Sequence, residues 1–291
     1  HGAVSMSEKT PVVRGLRDIY PGESERFDMV ERSMIEIIRK YGYQEIRLPM
    51  LEAIDLFSRG LGEATDAVEK EMYTLEDRDH DILALRPEGT ASCVRAVIDR
   101  NMTREGKPRL WYAGPMFRYE RPQKGRYRQF YQIGAEAFGL EGPDVDAELI
   151  FMGHDMWKLL GLESAVELEM NTIGSGDSRR AYSEALVEYL NPHKKELDAD
   201  SERRLTTNPM RILDSKNLST QKLLESAPAL HDFIDSASRT HFEGVCEYLD
   251  REGISFRVNP RLVRGLDYYT DTVFEWVTDK LGSQGTICAG G

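Results

Sequence analysis

The sequence predicts an α+β protein: a sheet domain flanked by helices and interrupted by a helical insertion. Three observations carry this. Apolar residues recur at helical spacing over 22–41 and 144–161. Alternating stretches recur near 109–120, 129–138, 166–171 and 272–277, the pattern of strands. From 176 to 253 the pattern is helical and polar, broken by Pro192, Pro209 and Pro228, with no strand signal before 256–258.

Taken in order, Phe27, Val30, Met34, Ile37, Ile38 and Tyr41 define the stripe of the first helix, and Gly42 is placed to end it. Residues 44–48 read as a short strand stopped by Pro49, which cannot donate to a ladder. Residues 81–85 read as a strand leading into Arg86-Pro87-Glu88-Gly89-Thr90. A helix follows, with Cys93, Val94, Val97 and Ile98 on one side. Two strands, 109–120 and 129–138, are joined by a basic loop. The helix over 144–161 turns Leu149, Met152, Met156, Leu159 and Leu160 inward. Val166, Leu168 and Met170 alternate with Glu167, Glu169 and Asn171, which predicts a strand with one wet face. After the helical stretch, Thr272–Val277 alternates well and 286–288 more weakly.

Composition narrows the class. The 291 residues are 40% hydrophobic and 30% charged, ordinary for a globular chain. No run of 18 apolar residues exists, so no membrane span is expected. The start, His1 to Met6, has no basic region followed by an apolar core. It reads as a cloning remnant rather than a signal peptide. Cys93, Cys246 and Cys288 are far apart and odd in number, which supports neither a disulfide framework nor a metal site and suggests a reducing, cytoplasmic compartment. A net charge of −12 argues against a broadly basic nucleic-acid-binding surface, so any RNA contact must come from local patches.

Three stretches carry chemistry. In the 129–138 strand, alternation puts Phe130, Gln132, Gly134 and Glu136 on one face, and Gly134 removes a side chain between two polar ones. That predicts a floor for a small ligand. Arg118, ending the neighbouring strand, is suited to bidentate phosphate contact over the same floor. The connecting loop holds Arg121, Lys124, Arg126 and Arg128, either a solvated hairpin tip or a local polyanion site; the Gln-x-Gly-x-Glu face weighs toward a site. The second stretch runs from Leu262 to Thr270. Gly265 permits close approach beside Arg264, and Tyr268 and Tyr269 offer a ring to stack and a hydroxyl to hydrogen-bond. The third is Arg86 to Thr90, where Glu88 and Thr90 either cap the following helix or bind a ligand ammonium group.

Together these stretches resemble histidyl-tRNA synthetases from about residue 11 to 291. Gly114-Pro115-Met116-Phe117-Arg118 through Glu136 is similar to class II motif 2, Arg264 to Tyr269 to the histidyl signature peptide, and Leu85 to Thr90 to the amino-acid-binding loop. The first helix, ending toward Pro49, resembles motif 1, which implies a homodimer. The resemblance implies a class II antiparallel sheet flanked by helices. Its domains would be a catalytic domain over 7–172 after the remnant at 1–6, a helical insertion domain over 173–255 near the tRNA acceptor stem, and a catalytic return over 256–291.

By the same resemblance, Arg118 and Arg264 hold the ATP α-phosphate, and Phe130 packs on adenine. Glu88, Thr90 and Gln132 surround the α-amino group, while Glu136 and Tyr269 read the imidazole with Tyr268 in the same pocket. Arg121, Gln123, Lys124 and Arg126 face tRNA. L-histidine, ATP and histidine tRNA are the implied partners, with Mg²⁺ on the outer phosphates and no protein-built metal site. The family continues past Gly291 into motif 3 and an anticodon-binding domain, so the chain reads as cut before them, with its activity alone in question. The competing expectation is a synthetase-like regulatory or tRNA-sensing module. Such proteins are expected to lose charges from the set Glu88, Arg118, Gln132, Glu136, Arg264 and Tyr269, all of which are present.

Overall fold

The computed structural model describes residues 10–62, 65–123, 125–281 and 285–291; the expected remnant at 1–6 lies outside them. The chain opens with α1 (Glu23–Lys40), β1 (Gln44–Glu45), β2 (Leu51–Ala53), α2 (Ile54–Leu61), α3 (Asp66–Glu69), β3 (Thr74–Glu76) and β4 (Ile82–Leu85). It continues through α4 (Thr90–Asp99), α5 (Met102–Glu105), β5 (Arg109–Phe117), β6 (Gln129–Ala137), α6 (Pro143–Leu159) and β7 (Glu167–Thr172). Four helices follow, α7 (Gly176–Leu190), α8 (Ala199–Thr207), α9 (Leu218–Leu224) and α10 (Ser236–Arg251). Three strands come last: β8 (Arg257–Val258), β9 (Thr272–Val277) and β10 (Thr286–Gly290).

The strands bond in the orders β1-β5-β6, β10-β9-β7-β8 and β2-β4-β3. Every pairing longer than two residues is antiparallel, as the fold class predicts. The first strand is shorter than the predicted 44–48, reaching only Glu45 and lying parallel to β5. One core joins the two larger groups: Trp111, Leu168, Met170, Phe274 and Trp276 pack with Ile37 and Ile38 of α1, Ile150 and Met156 of α6, and Val245 and Leu249 of α10. A second core gathers Tyr182, Leu186 and Leu190 of α7 with Leu205, Ile212 and Leu224, and reaches back to Val263 and Val273. Thus α10, the last helix of the predicted helical stretch, packs into the sheet core, whereas α7 to α9 build their own.

Local chemistry explains the ends of these elements. Helix α1 carries Glu23 and Glu25 in its first turn and Arg39 and Lys40 in its last, matching the macrodipole. Gly42, at φ 82°, closes it as predicted, its N–H donating to the Arg39 carbonyl.

Four expectations need correction. Strand β7 is buried on both faces, because the carboxylate of Glu169 is taken by Arg257 and Asn259, and Asn171 donates 3.0 Å to the Leu262 carbonyl. Leu159 points outward at the last turn of α6, where Trp157 takes the core position. In α4 the buried side carries Ala91, Cys93 and Val97, while Val94 and Ile98 face outward. Phe27 of the α1 stripe is only half-buried and Val30 is exposed, both at the wall of a cleft and not in the core.

Asp198 knits the α7–α9 segment. It caps α8 through the Ser201 N–H and also accepts from the Ser215 and Thr220 hydroxyls, at 3.1 and 2.9 Å. Burial works against its charge, but these hydrogen bonds hold its carboxyl at about 2. Asp198→Ala is expected to lower stability by about 1–3 kcal/mol in urea unfolding at neutral pH. A loss under about 0.5 kcal/mol, the level of an ordinary surface change, contradicts this role.

Candidate active site

A single large cleft, about 2170 Å³, is lined by residues from all three chemistry-bearing stretches. That is roughly twice the upper end of ordinary small-molecule pockets, so more than one ligand can be held together. Of the predicted residues, Glu88, Thr90, Arg118, Arg126, Phe130, Gln132, Glu136, Arg264, Tyr268 and Tyr269 line it. Arg121 and Gln123 are exposed on the hairpin tip and do not. Lys124 lies outside the described residues.

The deep end is built on β5, β6 and the start of α4. Antiparallel register places Tyr112 directly opposite Gly134 and Gly114 opposite Gln132. The Tyr112 ring is seated between Gly134 and Gly89: a Cβ built on either glycine would collide with it. The floor predicted at Gly134 is therefore covered by a tyrosine ring rather than left as bare backbone. The Tyr112 hydroxyl donates 3.0 Å to Oε1 of Glu136, and the Thr90 hydroxyl donates 2.7 Å to the same atom.

Glu88 is 3% exposed, and its carboxylate accepts from the Thr90 and Ala91 N–H groups at 2.6 and 2.9 Å. It caps α4, one of the two roles left open by the sequence. Two backbone bonds do not exhaust a carboxylate's acceptor capacity, so the capping role leaves room for a ligand. Burial raises the Glu88 carboxyl against these bonds. Burial also pushes Glu136 up to about 7, opposed by the two hydroxyls and reinforced by Glu88. Tyr112 is held well above its ordinary value, chiefly by burial and then by Glu136 and Glu88, so it stays a donor.

Arg86 fixes the frame. Its buried guanidinium donates to the Pro115 carbonyl at 2.9 Å and the Leu48 carbonyl at 3.0 Å, and Gly114, at φ 150°, leaves the room it needs. The sequence pattern places Arg86 in the third stretch but gives it no role. Arg118 donates 2.8 Å to the Pro87 carbonyl and lies 5.1 Å from the Phe130 ring centroid. Phe130 therefore already braces a cation. Arg128 is committed to structure: it donates to the Glu120 and Arg14 carbonyls and lies 3.7 Å over Tyr119. It is thus not available as part of a basic RNA patch. Arg126 pairs with Glu120 at 2.9 Å.

On the opposite segment, Arg264 pairs with Glu275 and lies 5.4 Å from the Tyr269 ring. Burial disfavours its charge, but Tyr269 and Glu275 overcome this and raise its pKa. Glu275 on β9 also accepts 2.7 Å from Thr286, which fixes it. The Tyr268 and Tyr269 rings lie 4.6 Å apart, with Tyr268 packed on the core of α2 and α4. Sequence reading missed Tyr112, Arg86 and Glu275. Tyr112 had one usable signal, its position opposite the Gln-x-Gly-x-Glu face once the hairpin register is known.

The raised carboxyl of Glu136 has a stability consequence. A group that keeps its proton longer in the folded than in the unfolded state favours folding at low pH. That contribution is full below about 4.5 and is lost as pH rises to about 7. Relative to Glu136→Gln, the native protein is expected to lose up to about 3 kcal/mol over this window in urea unfolding. A pH-independent difference contradicts the assignment.

Comparison with known proteins gives the family. The sequence model of the family described as histidyl-tRNA synthetase matches residues 15–291. The apo histidyl-tRNA synthetase of Staphylococcus aureus superposes with a TM-score of 0.76 at 39% identity, over 97% of this chain and 66% of that one. A Bacillus halodurans protein, described as an ATP phosphoribosyltransferase regulatory subunit/histidyl-tRNA synthetase, matches at 24% identity and TM-score 0.68, over 100% of this chain and 77% of that one. A histidine–tRNA ligase subunit from Alicyclobacillus acidocaldarius matches at 21% identity and TM-score 0.67, over 99% and 90%. The last two share the fold. The family match over nearly the whole chain, and 39% identity to the Staphylococcus aureus enzyme, lead to one assignment: the chain belongs to the histidyl-tRNA synthetase family.

Proposed function

We propose that the chain is the catalytic part of a histidine–tRNA ligase, which activates L-histidine with ATP and passes the histidyl group to the 3′ end of histidine tRNA. The observation that carries this reading is convergence: Glu88, Arg118, Gln132, Glu136, Arg264 and Tyr269, from three separate stretches, line one cleft.

In the first step a histidine carboxylate oxygen attacks the α-phosphorus, and the bond from that phosphorus to the pyrophosphate oxygen breaks. Charge builds on the non-bridging oxygens, so positioning and fixed positive charge do most of the work. Arg118 and Arg264 are assigned to those oxygens, the first held by the Pro87 carbonyl and the second by Glu275. Glu88, with Thr90 and Gln132 beside it, receives the α-ammonium group. Both hydroxyl bonds to Glu136 fall on Oε1, so Oε2 is assigned to the imidazole N–H, with Tyr268 and Tyr269 on the far side of the ring. Phe130 serves the adenine end while bracing Arg118.

Mg²⁺, when bound, would neutralise the outer phosphates of ATP. Among the described residues no three His, Cys, Asp or Glu side chains are arranged to hold a metal ion.

For the second step, Arg121, Gln123, Lys124 and Arg126 are assigned to the tRNA acceptor stem, and so is the helical insertion over 173–255, of which α7 to α9 build a core of their own while α10 packs into the sheet core. The catalytic portions would be 7–172 and 256–291. The outward residues of α1 fit a homodimer interface through motif 1. A cytoplasmic setting suits these partners, and no helix among the described residues is long and apolar enough to cross a membrane.

The alternative, a regulatory module, has one supporting observation in the dual description of the Bacillus halodurans relative. Against it stands the complete charged set in this cleft. Pyrophosphate exchange separates the two. The full-length protein is expected to exchange pyrophosphate into ATP with histidine and with no other amino acid. Arg264→Ala should lower that rate by about 10²–10³ while histidine affinity changes far less. Exchange driven better by another amino acid overturns the assignment, and absence of exchange with all twenty favours the module. A rate loss under about tenfold removes Arg264 from the phosphate role.

A further inference from the structure

We propose that Arg211, carried on the 3₁₀ turn Pro209–Asp214, is a further substrate-binding residue that forms with Arg264 an oxyanion subsite for the phosphate chain of ATP and the pyrophosphate it yields. The inference rests on the synthetase reading of the cleft. Arg211 comes from the helical segment, yet it lines the same cleft as Arg264, together with Asp214. Its side chain is only 15% exposed. Its guanidinium lies against the backbone beside Arg264: a Cβ on Gly265 would sit 3.0 Å from Nη1 of Arg211. Any larger residue at 265 would therefore press on the guanidinium.

The charge on Arg211 is poorly compensated for its depth. Its ion pairs are long, 3.9 Å to Asp66 and 3.8 Å to Asp214. Asp66 is already shared with Arg204 at 3.1 Å, Arg203 at 3.3 Å and Lys70 at 3.8 Å. The Nε of Arg211 is buried with no hydrogen-bond partner, and so is the Nε of Arg264. Burial, with repulsion from Arg204 and Arg264, lowers the Arg211 pKa. Arg264 is held by Glu275, but Arg211 has only its two long pairs, and a buried guanidinium with unfilled donors is costly unless an anion fills them. A planar fork of N–H donors suits phosphate oxygens better than any other common anion in an ATP-using site.

The competing role is a brace, with Arg211 merely tying the helical segment to α3 through Asp66. The two roles separate in pyrophosphate exchange on the full-length protein. Arg211→Gln should raise KM for pyrophosphate and for ATP by about tenfold or more, with KM for histidine within about twofold. Arg211→Lys, which keeps the charge, should recover part of that loss. Asp66→Asn, which removes the shared anchor, should leave the pyrophosphate KM within about twofold. If Arg211→Gln leaves exchange unchanged, the proposal is overturned. The same follows if Asp66→Asn reproduces the Arg211→Gln loss with histidine affinity falling in parallel, or if the loss appears only in transfer to tRNA. Equilibrium binding of pyrophosphate alone, native against Arg211→Gln, distinguishes this proposal from the synthetase reading. Native protein that binds pyrophosphate through Arg211 but shows no exchange fails only the latter, and equal binding by both proteins fails the former.

Discussion

The seating of one tyrosine ring between two glycines is the constraint on which the rest of the cleft depends. Tyr112 lies across Gly134, its partner in the neighbouring strand, and under Gly89 at the entry to α4. A methyl group at either position would move the ring. The ring in turn carries the hydroxyl that, with Thr90, holds Glu136. Helix α4, strand β5 and strand β6 therefore meet at a single carboxylate. Two acids, Glu88 and Glu136, are buried within reach of one another's charge. Burial of this kind is tolerated because each is hydrogen-bonded, one by a helix N-terminus and the other by hydroxyls.

Around that centre the chain uses arginines in three different ways. Arg86 is framework, its donors spent on the backbone of two other segments. Arg118 is half framework, anchored at Nε to the Pro87 carbonyl and stacked on Phe130, with Nη1 4.0 Å from Glu120 at the wall of the cleft. Arg264, though paired with Glu275, and Arg211, with two long ion pairs, each keep a buried Nε lacking a partner. Arg109 and Arg179 share that feature away from the cleft; at Arg264 and Arg211 it coincides with the cleft wall, where a ligand can return the free energy that unfilled donors on a buried cation cost.

Much of this was legible before the structure. Strands β5, β6 and β9 and helices α1 and α6 follow from the spacing of their apolar residues. Residues of the three chemistry-bearing stretches line one cleft, an arrangement that the family resemblance implied and residue types alone did not. What failed did so where burial depends on a partner distant in sequence. Glu169 and Asn171 looked like a wet face but are covered by Arg257, Asn259 and the Leu262 carbonyl, some 90 residues away. Tyr112 looked like an ordinary strand residue because its role needs the register with Gly134. Glu275 and Arg211 gain meaning only when β9 and the helical segment are brought beside Arg264. Arg128 looked like part of a basic patch until its donors were found on Glu120 and Arg14.

The central claim is that the Glu136 carboxylate, set by Tyr112 and Thr90, is the group that reads the imidazole. A crystal structure of the protein with bound L-histidine at neutral pH tests it directly. The account predicts an imidazole nitrogen about 2.7–3.1 Å from a Glu136 carboxylate oxygen, with the Tyr112 hydroxyl still on Oε1 and the α-amino group beside Glu88. Histidine bound with its ring away from Glu136, or in the reverse orientation with the α-amino group on Glu136, would contradict it.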